Sequence, residues 1–183
     1  IRGAKTAREH AERINAIQRY FVEKTRLGIP IIPFEEAVHG LTMEGATMFP
    51  AAIGLAASWD PSLMTNVAGA IAGETKSRGI RQVLSPVINI ADDVRWGRVE
   101  ETYGEDPYLS SELARAFVSV FERSGIVTTP KHFVANVGEG GRDSYPIEHS
   151  ERMLIERYYP PFAAALQAGD RLGVMGSKSP PLR

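Results

Sequence analysis

Helical patterns alternate with short apolar runs along this chain, and the alternation limits the possible folds more than any other feature of the sequence. Apolar residues recur at helical spacing over residues 7–21, and the apolar run 29–34 that follows predicts a buried strand. Further apolar runs lie within 80–90, 126–134 and 172–175, each after another helical pattern. Alternating helices and apolar strands build a parallel sheet covered by helices, so the sequence predicts an α/β fold.

Three of the predicted helices begin at a recognisable signal. Asp60-Pro61 and Asp106-Pro107 each place a side-chain acceptor directly before a proline. Proline has no backbone N–H, but the N–H groups of the first helical turn have no partner within the helix, so no helical hydrogen bond is lost there. Ser150 is a third candidate N-cap. Gly79 and Gly125 are expected to end the helices that begin at the two Asp-Pro pairs. These signals place the helix boundaries without any tertiary information.

The composition excludes several classes of protein. Of the 183 residues, 43% are hydrophobic and 23% are charged, as in ordinary globular domains. The formal net charge is −1 and no basic run occurs, so neither nucleic acid nor an anionic membrane is an expected partner. The absence of cysteine excludes disulfides, thiolate catalysis and Cys-based zinc sites. The sequence contains no stretch of ~18 apolar residues, and residues 1–5 do not resemble a signal peptide.

Long charged loops follow the second and third predicted strands, over residues 92–105 and 131–145. In parallel α/β folds, the loops at the carboxyl ends of strands form the ligand site. The first loop places Arg95 and Arg98 on either side of Trp96-Gly. Planar bidentate groups beside an aromatic surface suit the hydroxyls and ring face of a sugar. A solvated loop with surface ion pairs explains the same composition equally well.

Two further groups of polar residues flank the third strand. Lys131 and His132 stand side by side at its end, where one side chain can face a ligand while the other supports it. The alternative is that His132 packs in the core and Lys131 reaches outward to solvent. Downstream, Arg142 lies in a glycine-rich loop and is free to fold over a ligand. That loop lacks the Lys-Ser/Thr of a phosphate-binding loop, so a phosphate site is not expected.

Carboxylates next to a histidine raise the question of a metal. Glu35, Glu36 and His39 follow the first predicted strand, but no H-E-x-x-H pattern occurs and the four histidines share no metal-like spacing. We therefore expect no metal and no cofactor. Nucleophilic serine catalysis lacks a signature too, because the sequence contains no G-x-S-x-G elbow.

Taken together, these segments resemble glycoside hydrolase family 3, the β-glucosidase and β-xylosidase family. The stretches that carry the resemblance follow the family order and are IPIIPFEEAVHGL, GATMFPAAIGLAASWD, VLSPVINIADDVRWGRVEETYGEDPYL and TPKHFVANVGEGGRDSYPIEHSERMLIERYYPPF. The combination of WGRxEExxGEDP with a later PKHF is highly specific. The resemblance implies that residues 1–183 form about the first half of the family's (β/α)8 TIM-type barrel. A doubly wound sheet fits the periodicity, but no G-x-G-x-x-G follows a strand.

The resemblance also implies a sugar-binding subsite. Glu36 matches the acidic position that holds sugar hydroxyls, where many members have Asp. The other matching sugar-binding positions are Arg98, Lys131, His132 and Arg142. The expected ligand is a β-linked glucoside or oligosaccharide.

The family hydrolyses terminal β-D-glucosyl residues with retention: an Asp nucleophile attacks the anomeric carbon and a second carboxylic acid protonates the leaving oxygen. No catalytic residue is expected within this chain, because no segment resembling the family's S-D-W nucleophile segment occurs. Lys178 stands where family members commonly have a sugar-facing Tyr, so the end of the sequence resembles that of a truncated family member. We therefore expect the rest of the barrel and a C-terminal domain to be absent. The piece alone should be inactive and prone to associate, unless another polypeptide or a second copy completes it.

Several alternatives stay open at the level of sequence. A β-xylosidase or α-L-arabinosidase of the same family differs in contacts to a single hydroxymethyl group. A non-catalytic sugar-binding fragment is the alternative from another functional class. A β-N-acetylglucosaminidase is disfavoured, because Tyr145 follows Asp143-Ser144 where that branch carries a histidine. The resemblance slightly favours a periplasmic or secreted location.

Overall fold

The computed structural model describes residues 4–135, 148–169 and 173–176. In chain order its elements are α1 (Ala7–Lys24), β1 (Phe34–Glu35), α2 (Ala52–Ala56), α3 (Pro61–Ser77), β2 (Gln82–Val83), a 3-10 turn (Val99–Glu101), α4 (Pro107–Arg123), β3 (Val127–Thr128), β4 (Lys131–Phe133), α5 (Glu151–Met153), a π-helical turn (Leu154–Tyr158), α6 (Tyr159–Ala168) and β5 (Met175–Gly176).

The strands pair in parallel and in the order of the chain. β2 lies between β1 and β3, with Phe34 opposite Gln82 and Gln82 opposite Val127. Helices connect the paired strands, α2 and α3 before β2 and α4 before β3. Sequential parallel strands joined by helical crossovers are the arrangement of a (β/α) barrel. The prediction of an α/β fold with a parallel sheet is therefore confirmed.

The third predicted strand is interrupted at Thr129-Pro130. β3 and β4 are separated by two residues, yet pairing continues, because the amide of Lys131 donates to the carbonyl of Pro86 at 3.0 Å. The amide of Ile88 in turn donates to the carbonyl of Lys131 at 3.0 Å. β4 also pairs with β5 in parallel. This pairing places Lys131 and His132 beside the segment that follows β2, at the carboxyl edge of the sheet.

The predicted helix signals have the expected geometry. The carboxylates of Asp60 and Asp106 and the hydroxyl of Ser150 each accept a hydrogen bond from an amide in the first helical turn. Gly79 and Gly125 follow helix ends with φ of 80° and 76°, a backbone conformation that glycine adopts without strain. The Pro160-Pro161 pair lies in the first turn of α6, directly after the π-helical turn.

The core lies between the sheet and the helices α3, α4 and α6. Helix α4 packs against both of the others, and its Phe117 and Phe121 stack with ring centroids 4.4 Å apart. Trp96, Tyr158 and Phe162 are also almost completely buried. Within the described ranges, no helix is long and apolar enough to cross a membrane.

The prediction of a buried strand over residues 29–34 is wrong. Only Phe34 and Glu35 pair as a strand, and Ile29, Ile32 and Phe34 are exposed by 61%, 63% and 59%. Pro30 and Pro33 cannot donate to a ladder. The side chain of Gln18 instead pairs with both backbone groups of Ile31, at 2.7 and 2.9 Å.

The sequence interpretation also missed the short helix α2. Its N-cap position is Ala51, which offers no side-chain acceptor, so none of the usual start signals was present.

Candidate active site

An ion pair joins two of the predicted sugar-binding residues. The Lys131 ammonium donates to both carboxylate oxygens of Glu36, at 2.7 and 2.9 Å, although 95 residues separate the two in sequence. The Lys131 side chain is 3% exposed, whereas that of Glu36 is 39% exposed. The alternative in which Lys131 reaches outward to solvent is therefore wrong. β1 and β4 do not pair with each other, so this ion pair joins the residue after β1 to the first residue of a strand that is not its neighbour.

His132 is buried and has polar partners at both ring nitrogens. Its Nδ1 lies 3.1 Å from Oδ1 of Asn89, and its Nε2 lies 3.0 Å from Nη1 of Arg98. The peptide bond between Lys131 and His132 is cis. His132 is therefore buried, as the alternative interpretation supposed, but both of its ring nitrogens belong to a polar network.

Arg98 is held by a carboxylate three residues further along the chain. Its Nε and Nη2 each donate to one oxygen of Glu101, both at 2.7 Å. Arg98 directly precedes the 3-10 turn, and side chains three residues apart lie on the same side of such a turn. This bidentate pairing fixes the plane of a guanidinium that is only 5% exposed. The Arg-x-x-Glu spacing was the signal that could have identified Glu101.

Glu36 and Arg98 line the same cavity, which has a volume of about 280 Å³. Glu101, Val38, His39, Gly40, Thr42 and Met48 complete its wall. Gly40 has a φ of 146°, and a Cβ there would lie 2.5 Å from the carbonyl of Thr47, so the turn requires glycine. The cavity is at the small end of the range for ligand pockets, and a carboxylate and an arginine both face it.

A second polar network supports the start of the loop 92–98. The Tyr158 hydroxyl donates to Asp92 at 2.5 Å, and the His149 ring stacks on Tyr158 with centroids 4.6 Å apart. Burial raises the pKa of Tyr158, and the hydrogen bond to Asp92 raises it further. Burial lowers the pKa of His149, and the Asp92 charge opposes that shift. The Tyr158 hydrogen bond anchors the loop to the π-helical turn that precedes α6.

Asp93 and Arg95 form an exposed ion pair in the same loop, with Nη2 of Arg95 2.7 Å from the carboxylate. Hydrogen bonds from the Arg95 side chain and backbone lower the pKa of Asp93 to about 2. Trp96 between the two arginines is 1% exposed. The prediction that it offers an aromatic surface to a sugar is therefore wrong, because the indole packs in the core.

The arrangement of these segments agrees with a comparison of the chain with known protein families. The model of the glycosyl hydrolase family 3 N-terminal domain matches residues 2–179. The chain belongs to glycosyl hydrolase family 3. The expected partial TIM-type barrel is thereby confirmed, and so is the assignment of the chain to a family of glycosidases.

Individual relatives agree with the family assignment. A β-xylosidase from Formosa agariphila is 38% identical over 157 residues, which are 78% of this chain and 22% of the relative. The structure of a β-glucosidase from Erythrobacter marinus superposes with a TM-score of 0.85 at 35% identity, covering 92% of this chain and 24% of that one. A β-glucosidase from Listeria innocua in complex with glucose gives a TM-score of 0.84 at 31% identity, covering 97% and 25%. The chain thus spans about a quarter or less of these proteins.

In this family 3 chain, four of the five predicted sugar-binding residues form one connected group. We call Glu36, Arg98, Lys131 and His132 the polar cluster; its members are joined by the ion pair, the Arg98–His132 hydrogen bond and the shared strand β4. Arg142 lies outside the described residues. No group of three or more His, Asp or Glu side chains that could hold a metal ion occurs in the described part of the chain.

Proposed function

We propose that this chain supplies the sugar-binding subsite of a retaining glycoside hydrolase that removes terminal non-reducing β-D-glucosyl residues. The observation that carries the proposal is the ion pair between Lys131 and Glu36, whose carboxylate lines the same cavity as Arg98. In the proposed enzyme the nucleophile and the acid/base carboxyl belong to segments outside residues 1–183. Arg142 is proposed as a further sugar-binding residue.

The polar cluster has the chemistry that a pyranose ring requires. The Glu36 carboxylate accepts hydrogen bonds from sugar hydroxyls, and the side chains of Lys131 and Arg98 donate them. Charge-assisted hydrogen bonds of this kind lower the barrier when they strengthen as the ring flattens toward an oxocarbenium ion. Because the Lys131 ammonium is largely withdrawn from water, its field is weakly screened. The chain thus orients the sugar, while the bond-breaking carboxyls come from elsewhere.

A β-xyloside is the second candidate substrate. It is favoured by the β-xylosidase from Formosa agariphila, which is 38% identical to this chain. The two sugars differ by one hydroxymethyl group, and discrimination of this kind amounts to about 1–3 kcal/mol. Comparing kcat/KM for an aryl β-glucoside and an aryl β-xyloside in the enzyme that contains this chain distinguishes the two substrates.

Binding and turnover test the proposal separately. We expect glucose to shift the NMR signals of the polar cluster in the protein that contains this chain. Lys131→Met should abolish these shifts. Arg95→Met is the matched control, because Arg95 is an exposed cation paired with Asp93 and does not line the cavity. Hydrolysis of an aryl β-glucoside by residues 1–183 alone would contradict the proposed location of the nucleophile. Loss of binding in both variants would contradict the proposed subsite.

A further inference from the structure

Asn89 lies next to the polar cluster but does not belong to the proposed sugar-binding residues. It is 1% exposed and follows β2 on the segment that pairs with β4. Its Oδ1 accepts from the amide of His132 at 2.9 Å, and its Nδ2 donates to the carbonyls of His132 and Val134 at 2.9 and 3.2 Å. One backbone donor and two backbone acceptors permit only this orientation of the side-chain amide.

The orientation of Asn89 determines where the proton lies on the His132 ring. Oδ1 of Asn89 faces Nδ1 of His132 at 3.1 Å, and an amide oxygen only accepts, so Nδ1 carries the proton. On the other side of the ring, Nε2 faces Nη1 of Arg98 at 3.0 Å. A guanidinium only donates, so Nε2 must present its lone pair. His132 is therefore neutral and in the Nδ1–H tautomer.

The ion pairs of Glu101 and Glu36 in the described part of the chain are consistent with this tautomer. Arg98, the cation that faces Nε2, would repel a second proton there. The carboxylate of Glu101 is held by the guanidinium and that of Glu36 by Lys131. Each carboxylate therefore has a cationic partner other than His132.

We infer that Asn89 is a positioning residue for the sugar subsite, because it sets the His132 tautomer. In that tautomer Nε2 of His132 accepts from Nη1 of Arg98, while Glu101 accepts from Nε and Nη2 of the same guanidinium. Arg98 is then presented to the cavity in one orientation before any ligand arrives. Such preorganisation matters because displacing a binding group by 1 Å can reduce the rate about a hundredfold. The inference rests on the proposed function only where it concerns a sugar; the tautomer is independent of it.

The tautomer can be measured without any ligand or variant of Asn89. In protein labelled with ¹⁵N at histidine, the ring-nitrogen signals of His132 are identified by their loss in His132→Gln. We expect a protonated Nδ1 and an unprotonated Nε2 near neutral pH. A proton on Nε2, in either the other tautomer or the doubly protonated ring, would overturn the inference.

Asn89→Asp tests the consequence for binding. The carboxylate removes both Nδ2 donors and attracts a second proton onto the ring, which converts Nε2 into a donor and breaks its bond with Arg98. We expect a doubly protonated His132 and a kcat/KM for an aryl β-glucoside that falls between about tenfold and about a hundredfold. Activity should recover partly at high pH, as the ring loses the extra proton, which a purely structural defect would not do.

Asn66→Asp is the matched control, because it makes the same chemical change at an exposed position of α3; it should change neither the ring signals nor the kinetics. Unaltered ring signals and kinetics in Asn89→Asp would overturn the inference. If the ring signals change as expected but the wild-type protein binds no sugar, the proposed function fails while the positioning of Arg98 by Asn89 stands. If Asn89→Asp does not fold, the wild-type ring signals still decide.

Discussion

The ion pair between Lys131 and Glu36 should respond unequally to the removal of each partner. Glu36→Gln leaves an ammonium that is 3% exposed without its counter-charge, whereas Lys131→Met leaves a carboxylate that is 39% exposed and that water can solvate. Breaking a fully buried pair costs about 3–5 kcal/mol. Water at the exposed side of Glu36 reduces this cost, so we expect Glu36→Gln to lower the free energy of unfolding by about 2–3 kcal/mol. Lys131→Met should cost about 1 kcal/mol or less, since Met conserves most of the buried volume.

Urea-induced unfolding of the protein that contains this chain measures both values, and the double variant gives their coupling. We expect a coupling energy of about 1–3 kcal/mol, because the two side chains share charge-assisted hydrogen bonds of 2.7 and 2.9 Å. A cost for Lys131→Met equal to or above that for Glu36→Gln would refute the assumption that burial of the ammonium dominates. A coupling energy near zero would show that the pair does not form in solution.

Three further predictions concern single side chains. In the enzyme, Arg98→Ala should lower kcat/KM by orders of magnitude, because it removes a donor that faces the cavity; unchanged steady-state kinetics would contradict its role. Asp106→Ala should lower the free energy of unfolding by about 1 kcal/mol through the lost cap of α4, and Asp106→Asn, which retains an acceptor, should restore most of it in urea titrations. Arg95→Ala should return the pKa of Asp93 from about 2 toward its ordinary value in an NMR titration. Because that pKa is lowered by folding, the stabilising effect of the pair is present above about pH 4 and disappears as the pH falls toward 2. A pKa that does not move would show that Arg95 is not its cause.

The local signals of the sequence predicted what depends on neighbouring residues. Asp60, Asp106 and Ser150 begin helices because a cap needs only the first turn that follows it. The apolar run 29–34 was misjudged because burial depends on what covers a strand and because its two prolines cannot donate to a ladder. Trp96 was misjudged for a similar reason, since periodicity cannot tell whether an indole in a loop packs inward.

The same distinction holds for the candidate site: the residues that belong to a sequence motif were predicted, and the one whose role depends on a distant partner was missed. Glu36, Arg98, Lys131 and His132 were named from the family motif, and the structure brings them together. Asn89 was missed, because its role depends on His132, 43 residues away in sequence. A polar residue in the middle of an apolar run was the only sequence signal, and it does not identify its partners. Buried polar groups need partners, and only the fold reveals which ones.

Exposed apolar residues around β1 bear on how the chain exists in solution. Ile29, Ile32 and Phe34 are exposed side by side in sequence, next to the two-residue strand β1. Exposed apolar residues beside a strand edge favour association. We expect residues 1–183, produced alone, to self-associate in sedimentation experiments or to require a second polypeptide. A cooperatively melting monomer would contradict this expectation.

The most direct test of the account is a crystal structure of the enzyme containing this chain with glucose bound. We expect the sugar hydroxyls within hydrogen-bond distance of Glu36, Arg98 and Lys131, with the Arg98–Glu101 pair unchanged. A glucose molecule bound with none of these three side chains in contact would contradict the claim that the ends of separate strands converge on one pyranose ring.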